Sequence, residues 1–94
     1  MGLNVCVYRQ SAAGRVEEHP EWDWFRHEGD RLLPRLMSVQ KDVGTSMDPE
    51  LWARPEDPGS MREALIRAHP ENADRWRQLE SILADPDWWL YFSV

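Results

Sequence analysis

The sequence predicts an α+β fold: a small antiparallel sheet containing the N- and C-terminal strands, covered on one face by a helical hairpin. Three observations lead there. Leu3 to Tyr8 alternates between two faces, the period of a strand. Residues 60–84 carry two apolar stripes at helical spacing, separated by Pro70. The tail after Asp87 is aromatic and free of charge, and aromatic side chains favour strands. At 94 residues the chain is expected to form one small domain over 1–94.

In the first strand, Leu3, Val5 and Val7 fall on one face and Asn4, Cys6 and Tyr8 on the other. Cys6 reads as a small buried hydrophobe. Gln10 to Gly14 is a turn in which Gly14 supplies a positive φ, and 15–18 reads as a short returning strand. A pattern then recurs at His19-Pro20-Glu21, Asp48-Pro49-Glu50, His69-Pro70-Glu71 and Asp85-Pro86-Asp87. A hydrogen-bond acceptor precedes proline, and an acid follows it. Proline suits the first helical position, where its missing N–H has no partner to lose, and the acid suits the positive end of the helix dipole. The spacing is irregular, so these are local helix or turn starts and not a repeat.

Pro34 fits the first turn of a helix running to about Gln40 and burying Leu33, Leu36 and Met37. Residues 44–47 read as a loop, 48–53 as one or two helical turns and 54–59 as a linker. Ser60 and Glu63 form a capping box that opens a helix with Met61, Ala64, Leu65 and Ala68 on its apolar stripe. The next helix, 71–84, buries Ala73, Trp76, Leu79, Ile82 and Leu83. In the tail, Trp88, Leu90, Phe92 and Val94 share one face, while Trp89, Tyr91 and Ser93 share a partly exposed one. The tail is expected to pair with strand 3–8 in the centre of the sheet.

Composition narrows function. Lys plus Arg is 11 and Asp plus Glu is 17, a net charge of −6. A nucleic-acid binder needs surplus cations, so nucleic acid is not an expected partner. The longest apolar run, Trp88 to Phe92, is about five residues, far short of a membrane span. Met1 to Cys6 lacks a secretory pattern, and Cys6 stands where N-myristoylation requires Ser or Thr. The lone cysteine fits a reducing compartment, and the cytoplasm is the expected location.

Catalytic motifs are missing from the sequence. There is no phosphate-binding loop, G-x-G-x-x-G, G-x-S-x-G or H-E-x-x-H, and no cofactor is expected. The sharpest metal-like pattern is His19, Asp23 and His27 at i, i+4 and i+8, with Asp30 near. On a continuous helix these would stack on one face and could hold Zn²⁺ or Fe²⁺. Gly29 and the alternation Trp22-Asp23-Trp24 argue as well for an extended segment, which would scatter the ligands.

The acidic excess peaks at Glu17, Glu18, Glu21, Asp23, Glu28 and Asp30, beside Trp22, Trp24 and Phe25. Carboxylates steer a basic protein partner and tryptophans supply binding energy. Equally, the aromatics could point into the core and the acids into water. The six tryptophans suit a small core, whereas an aromatic cage for a cation would need two or three of them converging beside an acid. The leading expectation is a non-enzymatic interaction module, adaptor- or inhibitor-like. Its contact residues would be Glu17, Glu18, Glu21, Trp22, Asp23, Trp24, Glu28 and Asp30. The alternatives are a metal-binding protein or metal-dependent enzyme using His19, Asp23 and His27, and a structural protein forming homodimers through a sheet edge or the Trp89 and Tyr91 face.

Overall fold

The computed structural model describes residues 3–22, 25–27, 32–44 and 50–93. Its strands are β1 (Leu3–Gln10), β2 (Val16–Glu18), β3 (Phe25–His27), β4 (Val39–Asp42), β5 (Leu51–Arg54) and β6 (Trp89–Ser93). Its helices are α1 (Leu32–Arg35), α2 (Pro58–Ala68) and α3 (Ala73–Leu83), with a 3₁₀ turn at Pro70–Asn72. The expected α+β fold is present. All strand pairs are antiparallel, in the order β2-β1-β6-β5-β4, with β3 also paired to β1.

The N- and C-terminal strands lie side by side, with Val5 opposite Phe92, Cys6 opposite Tyr91 and Val7 opposite Leu90. Because side chains alternate across a strand, this register puts Val5, Val7, Leu90 and Phe92 on one face. That face meets the helices. Val5, Val7 and Leu90 cluster with Leu33 of α1, Met61 and Leu65 of α2, and Trp76, Leu79, Ile82 and Leu83 of α3, and Phe92 packs against them. The helical hairpin therefore covers one face, as the sequence predicts. A 3.3 Å ion pair from Arg62 to Glu80 ties α2 to α3.

The β1–β2 hairpin closes as its turn residues dictate. Gly14 adopts φ 80°, and Ser11 N–H donates to the Arg15 carbonyl at 2.8 Å. β2 and β3 share one edge of β1, β2 opposite Tyr8–Gln10 and β3 opposite Leu3–Val5. Two donors fill the gap between them. His19 N–H donates to the Val7 carbonyl at 3.1 Å, and the buried Trp22 indole N–H donates to the Val5 carbonyl at 3.1 Å. Buried edge carbonyls left unpaired are costly, so this tryptophan does the work of a missing strand residue.

Three expectations need correction. The helix at Pro34 stops at Arg35, and 39–42 is a strand, because Val39–Asp42 finds partners in Arg54–Leu51. Residues 51–53, expected as helical turns, and Arg54, expected to open a linker, form that partner strand, and Ala53 also pairs with Leu90. α2 begins at Pro58, ahead of Ser60. Asp57 is its extended N-cap, accepting from Gly59 N–H at 3.0 Å, and the Ser60 hydroxyl donates back to Asp57 at 2.9 Å. The described proline signatures are local helix or turn starts, as the sequence reads. Pro70 opens the 3₁₀ turn, whereas His19-Pro20 and Asp85-Pro86 make side-chain-capped turns, with Glu21 N–H on His19 Nδ1 and Asp87 N–H on Asp85 Oδ1. Asp48-Pro49 lies outside the described residues.

One polar device joins the far side of the sheet to the end of α3. The Arg54 guanidinium donates to the carbonyls of Leu83 at 2.7 Å, Asp85 at 3.2 Å and Trp88. The carbonyls at a helix C-terminus have no partners within the helix and carry the negative end of its dipole. A planar cation with several donors is matched to them. Burial pulls the Arg54 pKa down from its usual value, and Asp85 and Asp87 push it back up.

Candidate functional site

The register that buries Val5 and Leu90 sends the alternate residues to the opposite face. Asn4, Cys6 and Tyr8 of β1 stand beside Ser93, Tyr91 and Trp89 of β6, and Glu18 of β2 lies opposite Tyr8. All but Glu18 are half-buried, and Glu18 is exposed. Trp52 of β5 shares this face by register, is fully buried, and donates its indole N–H to Glu50 at 2.8 Å.

A cavity of about 350 Å³ opens on this face, its lining including Asn4, Cys6, Tyr8, Glu18, Trp22, Tyr91 and Ser93. The volume falls within the range of small-ligand sites, about 300–1,000 Å³. Two rings form its wall: Tyr8 and Tyr91 have centroids 5.8 Å apart and planes at 26°, and Trp52 continues the row at 5.7 Å from Tyr8. Burial pushes the Tyr8 hydroxyl well above the ordinary tyrosine pKa, reinforced by the neighbouring Cys6 thiol and by the carboxylates of Glu18 and Glu50. Tyr8 thus stays a neutral donor and acceptor at any physiological pH. Glu18 forms no ion pair with any described residue, whereas its neighbour Glu17 is held by Arg9 at 3.2 Å.

The cavity can therefore offer a ligand aromatic rings, a carboxylate and hydroxyls. Cations gather at the other end of the same face. Lys41 and Arg54 both lie 5.8 Å from the Trp89 ring centroid, in cation–π range.

The acidic stretch singled out in the sequence divides. Glu17, Glu18 and Glu21 are exposed along β2 and the turn after it. Trp22 belongs to the core, 7% exposed, with Arg75 over its ring at 5.5 Å. Asp23, Trp24, Glu28 and Asp30 lie outside the described residues. The helix that would stack His19, Asp23 and His27 does not form, since 25–27 is a strand. His19 N–H meets the Val7 carbonyl while His27 pairs with Leu3, four residues further along β1, a separation of roughly 13 Å at strand rise. The His19 ring is engaged, its Nδ1 accepting from Glu21 N–H at 3.1 Å and its edge against Trp88 at 4.5 Å. Among the described residues no three His, Cys, Asp or Glu side chains converge as a metal site would need. The side chains of Asp23 and His27 lie outside what is described.

Sequence reasoning missed the cavity, although its own pairing of strand 3–8 with the tail already implied that Asn4, Cys6 and Tyr8 would share a face with Tyr91 and Ser93. The remaining signal was Glu18, which a returning strand places beside Tyr8. Two further features mark the surface. Val39 and Leu51, 45% and 53% exposed, flank the β4 end of the sheet. No described helix is long and apolar enough to cross a membrane. No family model, curated protein or solved structure matches the chain, so the functional reading rests on this geometry.

Proposed function

We propose that the chain is a non-enzymatic protein-interaction module for a basic partner, adaptor- or inhibitor-like, acting in the cytoplasm. The observation that carries this is the exposed Glu18 beside the aromatic wall of Tyr8 and Tyr91 on the face opposite the helices, with Glu17 and Glu21 exposed on either side of it in the chain. Carboxylates at a rim speed encounter with a cationic partner, and half-buried aromatics supply contact area at low entropic cost. The net charge of −6 has the same sign as the rim.

The test compares the wild-type protein with Glu18→Lys and Glu21→Lys introduced together, by binding to immobilised Lys/Arg-rich and Glu-rich peptides at low and moderate salt. The expected result is salt-sensitive retention by the basic peptides alone, lost on charge reversal. Equal response to both peptides, or no effect of the reversal, counts against the reading. Self-association is the second reading, favoured by Val39 and Leu51 beside a β4 edge that pairs with no other described strand. Light scattering at micromolar concentration decides it, and a strict monomer removes it.

A further inference from the structure

We infer that the cavity between β1, β2 and β6 is a receptor for a single arginine side chain presented by the partner protein. This deepens the interaction reading above and rests on it. The cavity carries one formal charge, the Glu18 carboxylate, and that charge has no cation among the described residues. A carboxylate beside a half-buried aromatic wall is the combination that a cationic side chain satisfies and an anionic or purely apolar one does not. Tyr8 and Tyr91 stack on each other with planes 26° apart, an aromatic stack beside the carboxylate that a planar cation can extend. The Tyr8 hydroxyl, held neutral, keeps an oxygen available beside Glu18.

Guanidinium fits this set better than ammonium does. It is planar, it stacks on aromatic faces, and its fork of donors reaches a carboxylate through two bonds while leaving others for neighbouring oxygens. Ser93, which lines the same cavity, brings a hydroxyl oxygen to it. Of the arginine side chains described near the cavity, Arg9 is held by Glu17 and lies over Trp88, and Arg54 donates to backbone carbonyls. A cage of tryptophans beside an acid was the pattern the sequence would have needed. The structure builds the equivalent wall from tyrosines.

Cys6 supplies a built-in reporter, because it lines the cavity and is the one cysteine of the chain. The experiment measures the rate of Cys6 alkylation by iodoacetamide in the presence of acetyl-Gly-Arg-Gly-amide, with the matched lysine and citrulline peptides as controls. Backbone NMR shifts locate the contact independently. The arginine peptide at millimolar concentration is expected to slow alkylation at least about fivefold, and citrulline, uncharged and nearly isosteric, to have no effect. The E18Q protein, altered only at an exposed strand position, should need about tenfold more arginine peptide for the same protection. Y91A should weaken it similarly.

Equal protection by citrulline, or equal protection by lysine, overturns the guanidinium assignment. Arginine-dependent shifts confined to Glu17 and Glu21, with Cys6 unprotected, overturn the cavity while leaving the interaction module standing. No binding of any cationic peptide anywhere removes both.

Discussion

Replacing Arg54 tests whether the latch between β5 and the end of α3 holds the fold together. Its guanidinium donates to three carbonyls, of which those of Leu83 and Trp88 are shielded and that of Asp85 is exposed. A hydrogen bond to a charged group contributes about 1.5–3 kcal/mol. Counting only the two shielded bonds, at the lower end because Arg54 is itself part-exposed, gives about 3 kcal/mol for Arg54→Ala. A domain of this size loses about 4–8 °C of Tm per kcal/mol, so the expected fall is roughly 12–24 °C. Arg54→Lys should recover at most about half, because an ammonium on a single stem cannot span carbonyls from residues 83 to 88. Circular dichroism melts and urea titrations of the three proteins provide the check, with β-sheet and helix followed as separate probes. A fall below about 5 °C for R54A, or R54K indistinguishable from the wild type, would refute the latch.

Trp22→Phe keeps an aromatic ring but removes the donor to the Val5 carbonyl. It is expected to cost about 1–3 kcal/mol in a urea titration, and no loss would mean the gap between β2 and β3 is bridged some other way. Leu90→Ala empties a fully buried position between β1 and β5 and should cost about 2–5 kcal/mol, enough to populate unfolded protein at 37 °C in a thermal melt. The Asp57 carboxyl is held below its ordinary pKa by the Ser60 hydroxyl and the Gly59 amide. A depressed folded-state pKa gives stability that is present above the unfolded value and lost as pH falls through the folded one. The wild-type Tm should therefore drop below about pH 4, and D57A should show a shallower drop over the same window. Tyr8 has the opposite sign. Its raised pKa disfavours the phenolate in the fold, so stability is present below about pH 10 and lost above it, and Y8F should reduce that alkaline loss when melts are compared from pH 8 to 11.

What could be read from the residues depended on how much of each element's stability is local. β1 announces itself through Leu3, Val5 and Val7, and the uncharged aromatic tail has nowhere to go but a sheet. α3 places Trp76, Leu79 and Leu83 at helical spacing, and all three are buried. β4 and β5 gave no such signal. Val39-Gln40-Lys41-Asp42 is a mostly exposed edge, and Trp52 and Ala53 are buried in succession, which breaks the alternation a strand should show. Those residues become strands only because they find each other and Leu90. The start of α2 was hidden for another reason: Asp57-Pro58 sits in a run that reads as linker, while the adjacent Ser60 and Glu63 offer a competing box. The cavity was legible in principle and not by motif, since its residues lie at opposite ends of the chain and meet only through the pairing of Cys6 with Tyr91.

The position of β6 sets the order in which this molecule can assemble. β1 with β2 and β3 forms one ribbon, β5 with β4 another, and the two ribbons join only through β6. Asn4 finds its partner in Ser93, across almost the whole span described, so the joining step carries the entropy of a very long loop. A nascent chain must hold both ribbons, each with a bare edge, until residues 89–93 clear the ribosome. Until residues 89–93 are available, each ribbon keeps a bare edge open to the same strand.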